Sequence, residues 1–188
     1  MSREIKDTKN YVSILSADGT FRLTVPEGTP GAVKRDWTVG DKSGTKNELV
    51  YKSLSGKITN VAVVETDIGR LLQVTITDEQ GDLTISTPTS NNFATDFMKK
   101  LPNINKEKEV KLAPFSFTNE KEKLVKGITI TQDDVKVENF YKDNANGIPV
   151  PEEGKTYTKN KWKSYFGEVE DFLVATIKSA PEDLAKDF

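Results

Sequence analysis

Hydrophobic alternation runs through residues 56–141 in one order: three strand-like runs, a short helical run, then further strand-like runs. KITNVAVVE, RLLQVTIT and DLTIST are rich in Val, Ile, Leu and Thr, and short polar turns at Thr66-Asp67 and at DEQG separate them. Such runs form half-buried antiparallel strands, and connections this short favour a meander. SNNFATDFMKKL then places Phe93, Phe97, Met98 and Leu101 at helical spacing, with Ser90 as its expected N-cap and Pro102 as its stop. EVKLAPFSF and LVKGITITQ resume the strand pattern around a charged turn at 119–123, and DVKVENFY follows the turn at Asp133-Asp134.

That order is the one a five-stranded oligonucleotide-binding (OB) barrel requires, with the helix plugging the barrel between its third and fourth strands. The expected fold class is therefore mainly β: a five-stranded OB-type barrel with an N-terminal hairpin and arm, the short helix, and a C-terminal amphipathic helix. Residues 11–15 and 21–25 alternate around Ala17-Asp18-Gly19, a dipeptide-marked hairpin turn. Residues 26–45 lack burial periodicity and read as a long loop or an arm on the barrel. ELVYKSL follows, with a break expected at Ser55-Gly56. Residues 142–155 carry Gly, Asn and Pro and read as a linker. Trp162, Tyr165, Phe166, Val169, Phe172, Leu173 and Ile177 lie on one stripe of a helix over 160–177, expected to pack as core or against a second subunit. The domain reading is a flexible N-terminus over 1–10, a single domain over 11–178, and an acidic tail over 179–188.

The chain has no Cys and no His. Thiol nucleophiles, disulfides, the usual zinc sites and the commonest proton-transfer side chain near neutral pH are thereby absent. The expectation is a protein that is not an enzyme and uses no cofactor or metal. A Mg²⁺-dependent enzyme relying on carboxylates is the remaining catalytic reading. Gly40-Asp-Lys-Ser-Gly44-Thr-Lys46 lacks the spacing of a phosphate-binding P-loop. Glu168, Glu170 and Asp171 are expected on the solvent side of the last helix. No stretch approaches the roughly 20 apolar residues of a membrane span, so a cytoplasmic location is expected.

Formal net charge is only −2, but its distribution is uneven. Residues 99–126 hold eight lysines against four glutamates. Single-stranded nucleic acid is bound by rings that stack on bases beside Lys and Arg that follow the backbone. The candidate rings are Trp37, Tyr51, Phe117 and Tyr141; the candidate phosphate partners are Lys34, Arg35, Lys52, Arg70, Lys111 and Lys126. For Trp37 a packing anchor for the arm is the competing role, and for the other rings core or rim packing. At the C-terminus, Glu182, Asp183, Asp187 and Phe188 suit docking into a basic-rimmed apolar pocket on a partner protein, or competition for the chain's own basic groove.

The segments GTPGAVKR (28–35), KNELVYKSLSGKITNV, NNFATDFMKKLPNI (91–104), KLAPFSF (111–117) and KWKSYFGEVEDFL resemble single-stranded DNA-binding proteins of tailed bacteriophages, including crAss-like phages. The similarity spans about residues 11–178. It implies an OB-fold protein that coats DNA strands exposed in phage replication and recombination. Many proteins of this kind end in an acidic tail with a terminal Phe. Asp187-Phe188 is similar to that ending, although Lys186 dilutes its acidity. The resemblance thus implies single-stranded DNA as ligand and replication proteins as partners. A virion or host-takeover scaffold, in which the barrel serves only for protein contacts, is the alternative.

Overall fold

The computed structural model describes residues 10–142 and 145–178. Ten strands follow in the order β1 (Asn10–Leu15), β2 (Thr20–Val25), β3 (Val33–Val39), β4 (Lys42–Tyr51), β5 (Leu54–Thr66), β6 (Gly69–Asp78), β7 (Gly81–Pro88), β8 (Val110–Thr118), β9 (Leu124–Gln132) and β10 (Val135–Lys136). Helix α1 (Asn92–Lys100) lies between β7 and β8, and α2 (Lys159–Lys178) ends the described chain. The protein is mainly β, built on one mixed sheet in the order β10-β9-β8-β5-β6-β7-β1-β2-β4-β3.

Residues 56–132 form the strands their alternation predicts. In β6, Leu72, Val74 and Ile76 are buried while their neighbours are not, the period-two signature of a strand with one face on a core. β5 is longer and changes parity. Leu54, Gly56 and Ile58 point inward, then Val61 does, because Thr59 is an extra residue where Ile58 pairs with Ile76 and Asn60 with Thr75. Such a bulge bends a strand and sharpens its twist. It lets β5 pair with β8 through Leu54–Gly56 and with β6 along the rest. Gly56, expected as a break, lies inside the strand at φ +152°, where a Cβ would sit 2.5 Å from the Thr77 carbonyl oxygen. The break falls instead at Lys52-Ser53.

The expected five-stranded barrel is replaced by a larger sheet that does not close by hydrogen bonding. β1 pairs in parallel with β7 at Asn10–Val12, and β2 and β4 extend the sheet beyond it. The far side curls back until the β1–β2 turn lies on β8, where a Cβ on Gly19 would meet the Phe115 and Ser116 backbone at 2.6 Å. The free edge of β9 is covered by α1. The Ile128 N–H donates to Asp96 and the Ile128 carbonyl accepts from Lys100, so this edge residue is satisfied without a partner strand. Pro114 faces Ile128 across β8–β9, beyond the end of the β5–β8 ladder, where no strand needs the N–H it lacks.

α1 starts one residue later than expected. Asn91 is its cap, accepting the Phe93 N–H at 3.1 Å, and Phe93, Ala94, Phe97 and Met98 enter the core. Pro102 opens a 3-10 turn over Leu101–Asn103 and does not end the chain's helical path abruptly. Residues 26–45, expected as a loop or arm, form the β3–β4 hairpin. An apolar alternation is missing there because the hairpin stands at the sheet edge and its more buried face carries Arg35, Trp37, Gly44 and Glu48 in place of aliphatic side chains. DVKVENFY supplies only the two-residue β10, and the expected linker places Ile148 in the core.

α2 buries Val169, Leu173 and Val174 against the sheet, each worth about 1.5–3 kcal/mol. The expected tail residues Glu182, Asp183, Asp187 and Phe188 lie outside the described residues, as does all but the last residue of the expected flexible N-terminus.

Candidate nucleic-acid interface

In the β3–β4 hairpin, Trp37 pairs with Gly44 and Arg35 with Lys46. Alternate residues and cross-strand partners share a face, so Arg35, Trp37 and Lys46 stand together. Opposite a glycine the indole has room to lie flat, and a Cβ on Gly44 would meet it at 3.1 Å. Lys46 Nζ sits 5.6 Å from the ring centroid, within cation–π range. A half-buried indole with a lysine over it, on an exposed hairpin, is a surface on which a base can stack beside a phosphate contact.

Arg35 has a different task. Its Nε and Nη2 donate to Glu48 at 2.8 and 2.7 Å, a fork around a carboxylate 1 % exposed. Arg22 Nη1 lies 4.0 Å from the same carboxylate. The hydrogen bonds from Arg35 hold the Glu48 carboxyl below the ordinary glutamate range, against a burial that pushes it up. Arg35 is thus consumed in neutralising a buried acid. Lys34 points to the other face of β3 and pairs with Glu27 at 2.7 Å.

On β8, Lys111, Phe115 and Phe117 alternate along one face. Phe117 is 53 % exposed, and its ring lies 5.8 Å from that of Phe115. The adjoining turn is fixed by Asn119, whose side chain accepts the Lys121 and Lys123 N–H groups at 3.0 and 2.9 Å, and both lysines are exposed. Lys126 pairs with Ser116 and so lies on the opposite face, where its Nζ donates to Ser16 at 2.8 Å.

The other candidates have structural roles. Tyr51 pairs with Phe21 and packs on the core. Tyr141 packs edge-on against Phe172 at 5.3 Å. Arg70 clamps α2 by pairing with Glu170 at 2.8 Å and Asp171 at 2.7 Å, while Thr89 Oγ1 donates to Glu170 at 2.6 Å. Glu170 and Asp171, expected on the solvent side of the helix, are its attachment points to Arg70. Lys52 is exposed in the corner between β4 and β5. The lysine-rich stretch is also less basic than its count suggests, since Lys100 is buried and Lys108 pairs with Asp133.

The structure therefore brings Lys46 to Trp37 and sets Lys111 on the same strand face as Phe117, six residues away, while Lys34, Arg35 and Arg70 are paired with acids, Lys126 is bonded to Ser16, and Tyr51 and Tyr141 pack on the core. Lys46 and Phe115 escaped the sequence reading. The strand alternation that places Lys46 beside Trp37 is readable once 33–51 is taken as a hairpin. Among the described residues no group of three or more Asp or Glu side chains is placed to hold a metal ion, and no helix is long and apolar enough to cross a membrane. Comparison with known proteins finds no matching family, no similar curated protein and no similar solved structure.

Proposed function

We propose that this protein binds single-stranded DNA without catalysis and with tolerance of sequence, as a coat for strands exposed in replication or recombination. The observation that carries the reading is the β3–β4 hairpin, where Trp37 lies flat opposite Gly44 with Lys46 above it. Phe117 and Lys111 on β8, with Lys121 and Lys123 in the adjoining turn, supply a second pairing of exposed ring and exposed cations. Stacking on such rings is indifferent to base identity, and lysines follow the backbone without reading it.

The strand order supports an OB-type reading of the central unit. β7-β6-β5-β8-β9 is the 3-2-1-4-5 order of an OB barrel, and α1 falls between its third and fourth strands. In this reading the β1–β2 hairpin occupies the gap through which the third and fifth strands of the smaller barrel would meet.

Fluorescence anisotropy with a labelled oligo-dT, at about 50 and 200 mM salt, tests the proposal. The expected result is binding whose log K falls by about 0.7 per neutralised phosphate for each tenfold rise in salt. Absence of binding at the lower salt concentration overturns it.

A further inference from the structure

The apolar stripe of α2 extends beyond the core that its C-terminal half covers. Past Val169 the stripe continues into solvent as Phe166 and Trp162, 61 % and 39 % exposed. Lys159, Trp162, Lys163 and Phe166 stand at i, i+3, i+4 and i+7, on one helix face, and all four are exposed. The Trp162 and Phe166 rings are stacked at 22° with centroids 5.7 Å apart.

Tyrosines back this pair. Tyr157 and Tyr165 lie 4.9 and 5.7 Å from Trp162. Tyr157 Oη accepts the Glu152 N–H at 2.8 Å, and Tyr165 Oη donates to the Pro149 carbonyl at 3.3 Å. Residues 155–166 contain four Lys, four aromatics and no acid. Lys155 and Lys161 are engaged by Glu152, whereas Lys159 and Lys163 make no ion pair among the described residues.

We propose that this face of α2 is a further base-stacking platform for single-stranded DNA, separate from the two on the sheet, with bases on Trp162 and Phe166 and phosphates on Lys159 and Lys163. The inference rests on the DNA-binding reading above and assigns it a site on α2. Charge selects the ligand. An isologous contact with a second copy would bring the same lysines toward one another, and an uncharged apolar partner would leave them unused. A flexible polyanion carrying flat rings satisfies both the aromatics and the cations.

The chain has two tryptophans, so Trp37→Phe leaves Trp162 as the sole indole reporter. Its emission is followed while oligo-dT is added to saturation, with binding measured independently by anisotropy. The expected result is a saturable quench of Trp162 that salt reverses. In the otherwise native chain, Trp162→Ala with Phe166→Ala should weaken binding by at least about 5-fold, with about 5- to 150-fold for each base that loses its stack, and an unchanged Tm. Full binding by anisotropy with no change in Trp162 emission and no loss in the double variant overturns the platform while leaving DNA binding intact. Failure of the unmodified chain to bind oligo-dT overturns both readings. A double variant that changes oligomeric state by light scattering but keeps its DNA affinity identifies a self-association face and overturns the platform.

Discussion

Lys100 Nζ donates to the Ile128 carbonyl at 2.8 Å from a buried position on α1. One turn earlier, Asp96 accepts both the Ile128 N–H at 2.8 Å and Lys100 Nζ at 2.5 Å. A single ion pair thus takes the donor and the acceptor of a β9 edge residue, the work a neighbouring strand would otherwise do. It explains how the stretch of β9 that β10 leaves unpaired remains an edge without closing onto another strand.

Asp96→Ala should therefore destabilise the fold by about 3–5 kcal/mol, because it leaves a buried ammonium uncompensated and the Ile128 N–H without an acceptor. Urea unfolding at neutral pH measures the loss, and amide exchange at Ile128 should accelerate. A shift of the urea midpoint no larger than that of an exposed acid such as Glu79 would refute the role.

Glu48 makes stability depend on acid. Its folded-state carboxyl is held below the ordinary value of 4.5 by the Arg35 hydrogen bonds, so its contribution is present above that value and is lost as pH falls through the lower folded value. The wild-type Tm should drop below about pH 4.5, and Glu48→Gln should remove part of that drop while lowering Tm at neutral pH. Parallel melting curves across that range decide the matter. An identical acid slope in both proteins would sink the assignment.

Trp37→Ala and Arg35→Ala separate binding from folding. Loss of the indole should weaken oligo-dT binding by about 5-fold or more with little change in Tm, whereas loss of Arg35 should lower Tm by exposing Glu48 to an unpaired burial. The reverse pattern, with Trp37→Ala unfolding early and binding DNA normally, would return Trp37 to a packing role.

Gly56→Ala should be among the most damaging single-methyl additions. The new Cβ would stand 2.5 Å from the Thr77 carbonyl oxygen and 2.7 Å from Ile76 Cγ2, at a backbone angle L-residues avoid. A denaturant midpoint lowered well beyond that of Gly69→Ala, where a Cβ meets open space, is the expected outcome. Equal shifts at the two positions would show that the close approach at Gly56 costs nothing.

The local elements were legible because their causes are local. Alternation in 68–77, the helical spacing of Phe93, Phe97 and Met98, and the Asp133-Asp134 turn with φ values of 50° and 60° depend only on neighbours in the chain. The β3–β4 hairpin is not legible for the converse reason: its more buried face carries Arg35, Trp37, Gly44 and Glu48, so no apolar alternation marks it. Among the candidate site residues, the partners of Arg35 and Arg70 were not legible in the sequence, because each pairs with a distant acid, Glu48 across the hairpin and Glu170 on a helix 100 residues away.

By itself the sequence determined the mainly β character, the succession of strands and helices, the absence of Cys and His, and the run of rings and lysines at 155–166. Tertiary structure decided that β1 joins β7, that the Asp96–Lys100 pair covers the β9 edge, and that Trp162 and Phe166 project past the core. The physical reason is the range of the forces involved. Periodicity and turn chemistry act between near neighbours, whereas which cation is consumed by which acid, and which ring keeps its face to solvent, depends on residues brought together only when the sheet curls.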